Sequence, residues 1–357
     1  MPPAASKGPA SMPSRPLVLS LPIEQWPPSD RDAWVVACRP SQRLIRGGAG
    51  AHMKQITLSD LARRYGYFLD FLDRSARLNR DATPAGQVTP EDVASYIEEL
   101  GARVSSVTTY GSIYKLRRAS QLLDPQRDFE WLIELEKDLA LVMQPRSKAD
   151  RLVLSEVLVE CGLTLMTEAE SSAALSRLAK ARQFRNGLMI AMLALHPIRL
   201  KNFASLEIGH DFVEIDGRWW IVLSSMATKE ARPDERRIVE IIAPAVAKYL
   251  SSYRPVLTRK DSRSGALWIS SINGQSMTYH AVAAAIERTT RMAIGVSVSP
   301  HMFRTSAASS AAVHAGHNPH LASALLHHRD NRVTEEHYNR ASSLSAATAF
   351  GQLIKSL

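Results

Sequence analysis

From Leu58 onward the apolar residues fall three or four positions apart. Leu58, Leu61, Tyr65, Phe68, Leu69 and Leu72 share one helical face, which predicts an amphipathic helix starting near Thr57. Thr89-Pro90-Glu91-Asp92 is a helix start: a hydroxyl cap, a proline in the first turn, then acids suited to the positive end of the dipole. The helix it opens is predicted to stop at Gly101. A third helix begins near Ser105 or Ser106, carries Tyr110, Ile113, Tyr114, Leu116 and Leu122, and ends before Pro125. A fourth covers about 129–143 and ends before Pro145. Four helices with short links predict a small bundle.

Beyond a linker at 145–150 the pattern changes. Helical periods over 152–163 and 169–195 lead into two β-prone runs, 212–215 and 218–223, joined by Asp216-Gly217, a strong hairpin signal. Ile238 to Ile242 supplies a third predicted strand, Pro244 opens another helix, and the pattern is helical again from Tyr279. The expected fold class is mainly α with a small antiparallel β-sheet. A four-helix domain occupies 54–144, an α-rich domain 151–340, and a tail helix 341–357. Residues 1–53 hold nine prolines, from Pro2 to Pro40, which forbid a continuous helix and predict an extended arm. Its apolar stretches at Leu17–Ile23 and Trp34–Val36 are suited to docking on a folded surface.

Composition narrows the class. With 357 residues, 45% of them hydrophobic and 22% charged, the chain is long enough for two domains, each with its own core. Lys and Arg outnumber Asp and Glu by 44 to 35, and the resulting +9 favours a polyanionic partner. Two distant cysteines, Cys38 and Cys161, make neither a disulfide framework nor a zinc module. No apolar run approaches the roughly 18 residues of a membrane span, and no signal-peptide core is visible, so the expected location is the cytoplasm. The third predicted helix bears Lys115, Arg117 and Arg118, and no acid occurs from Gly101 through Leu123. A solvated helix face would look the same, but this is the first half's leading candidate for contact with a DNA backbone.

Four separated features in the second half carry chemistry. Arg199 follows a long apolar helix in Leu195-His196-Pro197-Ile198-Arg199; Thr228-Lys229 lies between the second and third predicted strands. His301 and Arg304 stand three apart after Ser299-Pro300, on one face of a helix starting there. Leu325-Leu326-His327-His328 is followed, ten residues after His328, by Tyr338. Each alone reads equally well as a surface arginine, a charged turn, a helix face or a packing tyrosine.

In this order the features resemble the tyrosine recombinase (phage integrase) family, over roughly Thr57 to the C-terminus. The preceding four helices resemble that family's core-binding domain. The position before the second histidine, commonly Gly in the family, is His327 here, so His327 and His328 both stand as candidates; alignment of Leu326 with the usual leucine favours His328. The His328-to-Tyr338 interval is one residue longer than the commonest spacing. The resemblance implies that Tyr338 is the nucleophile, that Arg199 and Arg304 hold the nonbridging oxygens, and that Lys229 protonates the leaving 5′-oxygen. It further implies that His301 is a general base or proton shuttle and His328 a hydrogen-bond donor to the phosphate. The expected activity is metal-independent, cofactor-free DNA strand transfer through a 3′-phosphotyrosyl intermediate. Expected partners are double-stranded DNA in the nucleoid, a tetramer of this chain on paired sites, and accessory recombination proteins, with no membrane. A type IB topoisomerase and an inactive DNA-binding relative are the alternatives. The resemblance also implies a tail that docks on a neighbouring protomer, with Leu353 and Leu357 as anchors. A zinc site at His314, His317 and His320 is disfavoured, because Gly316 and Pro319 interrupt the helix and neither acid nor cysteine accompanies the histidines.

Overall fold

A computed structural model of the protein describes residues 19–145, 151–228, 232–258, 264–314 and 326. The chain divides into two compact units, Met1–Arg146 and Ser147–Leu357.

The first unit is helical. α1 (Pro28–Ala37), α2 (Gln55–Arg74), α3 (Pro90–Gly101), α4 (Ser106–Leu123) and α5 (Glu130–Leu141) surround a core of Tyr65, Phe68, Leu69, Leu72, Val93, Ile113, Leu116 and Leu132. The capping signals act as the sequence predicts: the Thr89 hydroxyl accepts from the Asp92 amide at 3.2 Å and the Ser105 hydroxyl from the Thr108 amide at 3.4 Å.

The expectation of an extended arm is corrected at residues 23–37. Ile23–Gln25 form a 3₁₀ turn, and α1 follows with Pro28 in its first turn. Proline there costs no hydrogen bond, so the Pro27-Pro28 pair starts a helix rather than preventing one. Trp26 and Trp34 are buried, with ring centroids 5.7 Å apart, and Trp26 meets Tyr65 of α2 at 5.0 Å. Asp30 is buried beside them, accepting from the Tyr65 hydroxyl at 2.8 Å and the Ala85 amide at 2.7 Å. Burial raises its carboxyl above the usual range despite those donors.

The second unit packs helices around one small sheet. α6 (Ser155–Ser171) and α7 (Arg177–Leu195) lead to the short α8 (Leu200–Ala204). β1 (Phe212–Ile215), β2 (Arg218–Leu223) and β3 (Asp234–Arg237) form an antiparallel meander, with Phe212 opposite Ile221 and Leu223 opposite Asp234. Asp216 and Gly217 both take positive φ, 50° and 71°, as the two-residue turn requires. α9 (Ala243–Lys248), a π-helical turn at Tyr249–Tyr253 and α10 (Arg254–Leu257) follow, then α11 (Tyr279–Ile294) and α12 (Pro300–His314). Phe184, Leu188, Phe203, Trp268, Ile286 and Phe303 fill the core.

Two element boundaries differ from expectation. The break predicted after Leu163 lies instead at 172–176, and Gly162 sits inside α6. A Cβ there would lie 2.6 Å from the Gly187 carbonyl oxygen of α7, so this glycine lets two helix backbones touch rather than ending one. The third strand is Asp234–Arg237, four residues ahead of the apolar run Ile238–Ile242. Pairing with β2 fixes it there, and the run beyond supplies core residues Ile238 and Ile242 instead. Among the described residues no helix is long and apolar enough to cross a membrane.

Candidate active site

α7 is buried along most of its second half, from Leu188 to Ala194, and ends at Leu195, with His196 as its C-cap residue. Pro197 cannot continue it, and the chain turns so that Arg199 becomes the N-cap residue of α8 with extended backbone. Arg304 lies on the first full turn of α12, after Pro300 has opened that helix. It is only 8% exposed and is anchored from both sides: Nη1 donates to the Pro197 carbonyl and Nη2 to the Leu326 carbonyl, each at 2.6 Å. One guanidinium thereby ties α12 to the bend that carries Arg199 and to Leu326, two residues before His328.

These groups border one narrow cleft. Its lining includes Arg199, Asn202, Thr228, Asp234, Arg236 and Arg304. Thr228 is buried and closes the neck of its loop, its hydroxyl donating to the Arg232 carbonyl at 2.6 Å and accepting from the Arg232 amide at 3.0 Å. The structure therefore brings Arg199, Arg304 and the residue preceding Lys229 to the same place. His301, one helical turn before Arg304, is exposed. Lys229, His327, His328 and Tyr338, and the tail with Leu353 and Leu357, lie outside the described residues.

Sequence reading missed the β3 wall. Asp234 and Arg236 stand at i and i+2 of a strand, on one face, and form a two-pronged pair: Arg236 Nε and Nη2 donate to the two carboxylate oxygens at 2.8 and 2.9 Å. The Asp-x-Arg alternation was the available signal, hidden because the strand was expected after it. His196, buried behind the bend, is held neutral: burial foremost, then the charge of Arg236, lowers its pKa to about 4.

A much larger cleft of about 910 Å³ opens between α6, α7 and α11, lined by Cys161, Met277, Ala281 and Ile294 among others. Of the expected catalytic groups among the described residues, Arg199, His301 and Arg304, none borders it. Of the three spaced histidines, His314 pairs with Glu156 at 2.8 Å, while His317 and His320 lie outside the described residues.

In the first unit, α4 carries its three basic side chains in different states. Lys115 Nζ lies 2.5 Å from Asp60, and Arg118 donates to the Tyr114 hydroxyl at 3.1 Å. Arg117 is nearly buried, with a side-chain exposure of 12%, and donates to both oxygens of Glu136 at 2.5 and 3.0 Å.

A meander-bearing helical domain with two arginines gathered beside its β2–β3 loop is the fold of a site-specific recombinase catalytic domain. Solved structures agree: the XerH site-specific recombinase bound to difH substrate, a pre-cleavage complex, superposes with a TM-score of 0.54 at 18% identity, covering 83% of this chain and 79% of that one. Its post-cleavage complex on palindromic difH substrate gives 0.52 at 17% identity, covering 82% and 76%. The phage integrase family profile matches residues 164–344, half the chain, and the protein belongs to that family. No curated protein matches it in sequence.

Proposed function

We propose that the protein is a site-specific DNA recombinase that breaks and rejoins strands through a covalent tyrosine intermediate. The observation that carries this reading is the convergence of Arg199 and Arg304, from distant parts of the chain, on one cleft that also contains Thr228. Guanidinium forks held in place before the substrate arrives suit the nonbridging oxygens of a phosphodiester, and they cost no reorganisation as charge builds on the phosphorane.

In the proposed reaction the Tyr338 oxygen attacks phosphorus as the bond from phosphorus to the 5′-oxygen breaks. The tyrosine proton passes to His301, and Lys229 protonates the departing 5′-oxygen. His328 donates a hydrogen bond to the phosphate. The phosphotyrosyl bond conserves the energy of the original linkage, so a 5′-hydroxyl from another strand attacks it without a further energy source. Two units closing on a duplex, and four copies acting on paired sites, complete the reading.

Incubation of full-length protein with nicked suicide DNA carrying candidate sites tests it. A protease-sensitive covalent adduct is expected, absent from Tyr338→Phe. An adduct retained in that variant overturns the assignment of the nucleophile.

A further inference from the structure

In the first unit, all but four of the described lysine and arginine side chains hold a partner. Arg63 and Lys115 reach Asp60, Arg74 and Arg103 reach Glu99, Arg117 reaches Glu136, and the others meet acids, hydroxyls or backbone carbonyls. The exceptions are Arg39, Arg43, Arg46 and Lys54, all exposed, with no side-chain hydrogen bond or ion pair among the described residues. They lie together on the segment between α1 and α2, and no acid occurs from Ala33 through Ser59.

The segment is also built to a fixed shape. Gln42 and Ile45 exchange both backbone hydrogen bonds, at 3.0 and 3.1 Å, closing a hairpin with Arg43 and Leu44 at its tip. The Gly48 amide donates to the Arg39 carbonyl at 2.9 Å and the Gly50 amide to the Ala37 carbonyl at 2.8 Å, which pins the hairpin's base to the end of α1. A Cβ on Gly48 would lie 2.1 Å from the Val36 carbonyl oxygen, so only glycine allows that approach. Such a frame lowers the entropy cost of placing its cations against a partner.

We propose that residues 39–54 are a DNA-backbone contact in which Arg39, Arg43, Arg46 and Lys54 meet phosphates. This rests on reading the protein as one that binds DNA. Unpaired cations with no acid among them suit closely spaced phosphates, and each contact gains free energy by releasing counterions. A second copy of this chain fits less well, because a symmetric contact would bring the same basic face against itself. The segment thus gives the first unit a contact separate from the basic side chains of α4.

The test is fluorescence anisotropy of a labelled duplex of arbitrary sequence, titrated with full-length protein at several salt concentrations. The slope of log affinity against log salt counts the phosphates engaged, at about 0.9 per contact. Arg39→Gln, Arg43→Gln, Arg46→Gln and Lys54→Gln together are expected to reduce its size by about three to four. The control removes the same charge from exposed, paired positions of the same unit: Arg31→Gln, Arg63→Gln, Arg80→Gln and Lys137→Gln. It should change the slope by less than about one. Arg43→Gln with Arg46→Gln alone should remove about two, and supplies the comparison should the fourfold variant unfold. An unchanged slope overturns the inference, and so do equal reductions in the fourfold variant and the control, which would make net charge the cause. Loss of self-association in sedimentation, with the slope retained, would assign the segment to a second copy and overturn it as well. A wild-type protein whose affinity for DNA does not vary with salt overturns the DNA-binding reading itself.

Discussion

His196 shows how one side chain beside the site links the local environment to stability. Its ring is buried next to the Asp234–Arg236 pair, and Nε2 finds no hydrogen-bond partner among the described residues. The native histidine stays neutral down to about pH 4, whereas an unfolded one takes its proton near 6.5. Between those values the unfolded chain binds more protons, so stability falls as pH drops and is fully present above about 6.5. The expected loss by pH 4 is up to about 3 kcal/mol. Urea midpoints measured from pH 7 to 4 should show this slope in the wild type and a shallower one in His196→Gln; equal slopes would remove His196 as its source. Arg199 and the His301–Arg304 pair stood out in the sequence through their order along the chain rather than through residue type alone. The buried His196 and the Asp234–Arg236 pair did not, because burial and pairing along a strand, rather than residue type, set them apart.

At the level of elements, the contact of α6 with α7 decides where the cleft's main support lies. Gly162 and Gly187 face each other, and a Cβ on either would approach the other's carbonyl oxygen to 2.6 or 2.7 Å. Gly162→Ala therefore has to push the helices apart, at a cost of about 1–3 kcal/mol from overpacking. A lowered urea midpoint is expected, with slower adduct formation as the His196–Arg199 bend shifts; an unchanged midpoint would show that the helices separate freely. Helices with a clear apolar face and a cap, α3 and α4, stood out in the sequence at nearly their final limits. So did the β1–β2 hairpin, whose Asp216-Gly217 turn allows few alternatives. Elements set by tertiary contact did not. Gly162 resembles a helix stop until its partner across the interface is seen, and the proline-rich segment around α1 resembles an arm until Trp26 and Trp34 are found in the core. β3 is charged rather than apolar, so only its pairing with β2 identifies it.

Across the whole molecule, the +9 charge leads to the expectation that the proposed DNA binding depends on salt. If the two units together neutralise on the order of six or more phosphates, affinity should drop by roughly 10³-fold between 50 and 200 mM salt. Gel-shift titrations across that range measure the slope, and a nearly flat one contradicts backbone engagement by both units. Within it Arg118 should count for about one contact, and Lys115 and Arg117 for less, since they are committed to Asp60 and Glu136. The fold class and the family were legible because widely spaced groups occur in a fixed order along the chain.

The most direct measurement of the central claim is the identity of the residue joined to DNA. The adduct from suicide DNA, digested with trypsin and nuclease, would be sequenced by mass spectrometry. The account predicts a nucleotide mass on Tyr338 within the peptide 333–340, where it is the sole tyrosine. The same mass on any other residue, with Tyr338 unmodified, would contradict it.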